Sequence, residues 1–102
     1  MKLYKFTAVF VPDVDDKGVY NVSVPALPEI CTYGESETEA LFMAQDALEL
    51  VVLSKLEEGE VIPDDKKPNK VSKGSLIKEI LVSVVHDVHT SPLTPNVKLA
   101  FA

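Results

Sequence analysis

Between Ser23 and Glu39 the sequence reads Ser-Val-Pro-Ala-Leu-Pro-Glu-Ile-Cys-Thr-Tyr-Gly-Glu-Ser-Glu-Thr-Glu, and this junction restricts the fold more than any other stretch. Pro25 stops a strand, because proline cannot donate to a sheet ladder, and with Pro28 it brackets a turn. Ser36 followed three residues later by Glu39 is a capping box: the hydroxyl accepts from the Glu39 amide, and the carboxylate reaches back to the Ser36 amide. The apolar series Ala40, Leu41, Ala44, Ala47, Leu48 and Val51 follows at helical spacing. A strand must therefore end, turn and give way to a helix beginning at Glu37.

Elements on either side extend this pattern. Residues 3–11 alternate as a strand with Tyr4, Phe6, Ala8 and Phe10 on its expected core face. Pro12 ends it, and Asp13-Val14-Asp15-Asp16-Lys17-Gly18 reads as a hairpin loop whose glycine supplies a positive φ. Val19–Val24 returns as a second strand with Tyr20, Val22 and Val24 on one face, and Ile30–Tyr33 supplies a short third. Gly34 is expected to free the backbone to swing into the helix, which runs to about Glu58 and stops at Gly59. Tyr20, Leu41 and Leu48 are assigned to the core. Leu50, Val52 and Leu53 widen the helix's apolar surface beyond what one small sheet needs.

Glu60–Gly74, with Pro63, Pro68 and Asn69, reads as a surface connection, and Ser75–Val88 as a fourth strand built on Ile80, Val82, Val84 and Val88. Pro92 and Pro95 precede Val97–Phe101, which alternates as a short edge strand or docking arm. The predicted class is α+β: a three-stranded antiparallel start, one long helix and a further strand, β-β-β-α-β. One domain is expected over residues 1–89, with residues 90–102 as an arm and no separate DNA-binding domain.

Charge narrows the partners. Over residues 1–65 four Lys face fourteen Asp or Glu, a balance of −10, whereas residues 66–102 carry six Lys and two acids, +4. An acidic body repels phosphate and draws in a basic partner, chiefly by speeding encounter. All ten basic residues are Lys, so the bidentate fork that reads guanine edges is missing, and direct nucleic-acid binding is not expected. Cys31 is the only cysteine, which fits a reducing compartment, and the N-terminus lacks the apolar core of a signal peptide; the expected location is cytoplasmic.

Candidate chemistry is thin. Asp13, Asp15 and Asp16 form either a solvated hairpin tip or an acidic lobe for a basic partner; a calcium loop would need glycine at the sixth position and glutamate at the twelfth, where Gly18 falls one residue late and Val24 stands. His86 and His89, three apart on a strand, point to opposite faces and do not make a metal site. Cys31 reads as a small buried hydrophobe, and Ser36 is committed to capping. Lys66, Lys67, Lys70 and Lys73 have no interleaved aromatics for base stacking and read as a loop. No catalytic residue, cofactor or metal is assigned. Apolar residues on both faces of the first and last strands predict that a second copy or a partner covers one face, so a homo-oligomer, dimer or tetramer, is expected.

Taken together, Tyr20, Val22, Pro25, Leu27 and Pro28, then Thr32, Gly34, Glu35 and Ser36, then Glu39 and Ala40, then Gly59, Ile62 and Pro63, form an ordered series that resembles the HicB family of antitoxin-like domains. Glu29 departs from the pattern, standing where the family has glycine. The resemblance implies a partial RNase H-like fold without catalytic carboxylates, in a non-enzymatic protein that binds and neutralises a small, basic, mRNA-cleaving HicA-like toxin. It leaves open a stand-alone HicB-like oligomeric regulatory or scaffold domain with no toxin. Asp15 and Asp16 at the hairpin tip, with Glu35, Glu37 and Asp46 on the exposed side of the helix, are the candidate binding face; no membrane contact is expected.

Overall fold

Alternation in the first segment produces the sheet's longest strand. In the computed structural model, which describes residues 2–84, β1 spans Lys2–Pro12, β2 Tyr20–Ser23, β3 Cys31–Gly34, helix α1 Glu37–Glu57 and β4 Leu76–Val84. The strands lie in the order β3-β2-β1-β4, each antiparallel to its neighbour. The α+β class and the β-β-β-α-β order are thus as the sequence predicts. The expected extension of the last strand to Val88, with His86, His89 and the arm 90–102, lies outside the described residues.

Phe6, Ala8 and Phe10 of β1, Val22 of β2 and Ile80, Val82 and Val84 of β4 present one face to the helix, with Val24, Leu27 and Ile30 from the proline-bracketed turn closing one side. The helix answers with Ala40, Ala44, Leu48 and Val52, an i, i+4 stripe whose two alanines let its first half lie close to the sheet. Leu41 is a correction: it is 37% exposed, because it stands one residue, about 100° of helix rotation, away from the buried stripe. Cys31 is another. It is exposed rather than buried, since its neighbour Ile30 faces the core and the parity of a strand sends Cys31 and Tyr33 outward.

The helix ends are chemically specified. Ser36 Oγ accepts from the Glu39 amide at 3.0 Å, while Glu39 Oε1 accepts from the amide of Glu35 at 2.6 Å, one residue earlier than a standard capping box would place it. At the other end Gly59 (φ +73°) donates to Leu56 O at 3.1 Å and Glu60 to Lys55 O at 2.8 Å, a Schellman closure of the last turn. Ser36→Ala is expected to cost about 1 kcal/mol of stability, read as a lowered urea midpoint with an unchanged m-value.

Glu29 needs no glycine-like backbone: among the described residues every positive φ belongs to a glycine, and Glu29 is not among them. The turn it occupies is closed by Leu27 N to Val24 O (3.0 Å) and Ile30 N to Leu27 O (2.9 Å). Its carboxylate lies 3.2 Å from Lys55 Nζ, which also reaches Glu60 at 3.4 Å. Glu29 therefore ties the turn to the C-terminal end of the helix.

The connection between α1 and β4 does more than return the chain. β2 pairs only with Val9–Pro12, so the earlier part of β1 has an open edge on that side. Asp65 fills it: Oδ1 accepts from the Thr7 amide at 2.8 Å and Oδ2 from the Thr7 hydroxyl at 2.7 Å. Lys67 Nζ donates to Thr7 Oγ1 at 3.2 Å and to Glu79 Oε2 at 2.7 Å, bridging to β4. Thr7 is fully buried as a result. Part of the sheet face expected to need a partner is covered by the chain itself, whereas Leu3, Ile77 and Leu81 remain more than half exposed.

Candidate functional site

The β1–β2 loop owes its shape to Asp13. Its carboxylate accepts from the amides of Asp15 and Asp16 and from Asn21 Nδ2, each at 3.0 Å. The Asn21 bond, then the amides of Asp16 and Asp15, hold the Asp13 carboxyl below the ordinary aspartate range. Asp13 is thereby consumed as a local organiser, while Asp15 and Asp16 project as exposed carboxylates. Gly18 (φ +90°) closes the loop beside the Glu35 carbonyl, where an added Cβ would lie 3.7 Å from that oxygen.

This approach creates an open groove of about 590 Å³ between the loop and the β3–α1 junction. Asp13, Asp16, Lys17, Val19, Asn21, Tyr33 and Glu35 line it. Carboxylates from segments far apart in sequence, Asp13 and Asp16 of the loop and Glu35 of the junction, thus share one groove with Lys17 and with an aromatic ring that is 56% exposed. Such a groove suits a lysine or arginine side chain: carboxylates supply charge and hydrogen bonds, and the tyrosine ring offers a face for the cation. Sequence reasoning missed Tyr33 and Asn21; outward strand parity at Tyr33, opposite a core-facing Ile30, was the available signal.

The other candidates separate. Glu37 Oε2 lies 3.0 Å from Lys78 Nζ of β4, so its charge is compensated within the chain. Asp46 stands on the outer side of the helix beside Glu49, Leu50 and Leu53, bordering a distinct shallow groove of about 330 Å³. Asp15 sits next to the first groove without lining it. The five residues therefore do not share one face: Asp16 and Glu35 line the first groove, Asp15 adjoins it, Glu37 is paired with Lys78, and Asp46 borders the second groove. Among the described residues no three His, Cys, Asp or Glu side chains gather as a metal site, and no helix is long and apolar enough to cross a membrane.

Residues 5–85 match the family described as HicB-like antitoxin of bacterial toxin–antitoxin systems. Over 61 residues, 60% of this chain and 86% of the relative, the sequence is 38% identical to UPF0150 protein Ta0767 of Thermoplasma acidophilum. The fold is similar to a chain of a toxin–antitoxin complex from Streptococcus pneumoniae, with TM-score 0.71 and 22% identity, covering 94% of this chain and 82% of that one. It is also similar to the Burkholderia pseudomallei antitoxin HicB, with TM-score 0.67 and 24% identity, covering 94% and 73%.

Proposed function

The chain belongs to the HicB-like antitoxin family, and from that premise we propose that it binds and neutralises a small, basic, HicA-like mRNA-cleaving toxin by protein–protein contact in the cytoplasm. It acts by occupying the toxin rather than by catalysis. The observation that carries the reading is the acidic groove, lined by Asp16, Glu35 and the exposed Tyr33, within a body of net charge −10 over residues 1–65. A nucleic-acid-binding toxin presents lysines and arginines on the surface that meets RNA, and a groove of this composition competes for them. Asp15 adds to the field at the groove's edge. Asp46 contributes long-range attraction from the outer helix face, and Glu37, neutralised by Lys78, contributes less.

The test is association with a small basic protein whose reading frame neighbours that of this chain, sought first and then measured at two ionic strengths. Reversing Asp16 and Glu35 to lysine together is expected to slow association by roughly tenfold or more at low salt, with helix content unchanged. Glu37→Lys should have a smaller effect. Binding that survives the double reversal, with the same salt dependence, would defeat the electrostatic account. A neighbouring gene product that is not toxic alone would instead favour the stand-alone regulatory domain.

A further inference from the structure

We infer that the segment Val97–Phe101 docks on the bare half of the outer sheet face of its own chain, seating Val97, Leu99 and Phe101 against Leu3 and Leu81. This goes beyond the antitoxin reading and does not depend on it. Strand parity defines the face. Leu3, Lys5, Thr7 and Val9 of β1 point away from the helix, across from Ser83, Leu81, Glu79 and Ile77 of β4. The 60–74 connection closes the half toward Pro12: Asp65 and Lys67 bond Thr7, Lys67 reaches Glu79, and both Thr7 and Val9 are buried. Toward Lys2 the same face is open, with Leu3 64% and Leu81 59% exposed.

The two leucines form one patch. Leu3 pairs with Ser83 and Lys5 with Leu81, so Leu3 and Leu81 are diagonal neighbours on adjacent strands, within reach of one another's side chains. Ile77 stands apart, beyond the Glu79–Lys67 ion pair. Position then points to the occupant. Val84 pairs with Lys2, so β4 delivers the chain to the border of the patch, one residue past Ser83. Residues 85–102 lie outside the described residues, but their length and sequence fit the task. Twelve residues, 85–96, separate Val84 from Val97, more than the two to five or so that a reversal needs, and Pro92 and Pro95 among them oppose a helix.

Pattern, charge and size agree with this occupant. Val97, Leu99 and Phe101 alternate with Lys98 and Ala100, so an extended segment lays three apolar side chains on the patch and turns Lys98 to water. The charged residue on the open half is Lys5, and Glu79 balances it at 3.8 Å. A basic partner, drawn to the acidic groove, gains nothing here. A second copy laid face to face about a two-fold axis through the patch would bring Lys5 toward its own equivalent. Two leucines also fall well short of the roughly 800 Å² a side that a stable interface between separate proteins buries. A tethered segment meets the patch at an effective concentration on the order of millimolar, so a small contact suffices.

The test uses the full chain with Cys31→Ser, so that introduced thiols are the only ones present. In that background Leu3→Cys is expected to react with iodoacetamide roughly tenfold more slowly than when Leu99→Asp and Phe101→Asp are added to drive the segment off the patch, at every protein concentration and with unchanged helix content. Leu3→Cys combined with Leu99→Cys should form a disulfide within one chain under mild oxidation. Leu3→Cys combined with Lys98→Cys should do so more slowly, because Lys98 faces water. Labelling that the two aspartates leave unchanged overturns the proposal. So does protection that grows with protein concentration, or a disulfide formed only between chains, either of which would assign the patch to a second copy. Protection that appears only when a basic partner protein is added would assign it to that partner and likewise overturn the proposal.

Discussion

Replacing Asp65 by alanine is expected to lower stability by about 2–3 kcal/mol, among the larger effects open to a single side chain outside the hydrophobic core. Its carboxylate is the partner of both the amide and the hydroxyl of Thr7, and Thr7 is fully buried. Truncation leaves the Thr7 amide unpaired at a place β2 does not reach, and weakens the hold of the 60–74 connection on the sheet, where Lys67 still reaches Thr7 and Glu79. For a domain of this size the loss corresponds to a thermal midpoint lower by on the order of 10–15 °C.

A pH signature separates this from ordinary loop loosening. Burial acts to raise the Asp65 carboxyl, but the Thr7 amide and hydroxyl, the Lys66 amide and the charge of Lys67 outweigh it and hold the group below the ordinary aspartate value. A carboxyl depressed in the folded state stabilises above its unfolded pKa and loses that contribution as pH falls through its folded value. The stability difference between the natural chain and Asp65→Ala should therefore be full at neutral pH and shrink in acid, below the ordinary aspartate range. A difference that stays constant as the pH is taken well below that range would show that the carboxylate charge is not what matters.

This network was invisible to sequence reading. Residues 60–74 offer prolines, lysines and acids, the ordinary composition of a surface connection, and nothing local says which carboxylate meets a strand amide 58 positions away. The hairpin and helix were legible because their signals are local: alternation in 3–11, Gly18 at the turn, Ser36 with Glu39 at the cap, Gly59 at the stop. Errors came where a pattern fixed the element but not its rotation. Leu41 belongs to the helical apolar series yet falls beside the Ala40–Ala44–Leu48–Val52 stripe, and Cys31 belongs to β3 yet lies on the outward parity. The acidic groove was half legible. Charge count marked the body, but the meeting of Asp16 with Glu35 depends on the tertiary approach of the hairpin loop to the β3–α1 junction.

The junction itself holds the second large effect. Gly34→Ala is expected to destabilise the chain by about 3 kcal/mol or more, a large fraction of the stability of a typical domain. The cause is not the backbone freedom for which glycine was expected here, since the positive-φ glycines are Gly18, Gly59 and Gly74. Gly34 is buried at the end of β3, directly against the first turn of α1. A methyl group there would lie 2.5 Å from Ala40 Cα and 2.7 Å from the Glu39 carbonyl carbon, and closer still to the Ala40 nitrogen. These are backbone atoms held by the Ser36 cap and by the Ala40 N to Ser36 O bond at 2.9 Å, so they cannot give way as a side-chain tip would. Relief requires the helix N-terminus to move off the sheet, which unpacks Ala40 and Ala44 and displaces Glu35 from the groove. Gly59→Ala provides the contrast: its φ is +73° but no atom lies within 4 Å of the added Cβ, so it should cost only about 1 kcal/mol. Thermal denaturation of the two variants in parallel distinguishes the origins. If Gly34→Ala were no worse than Gly59→Ala, close packing of β3 against the helix start would not be what fixes the glycine.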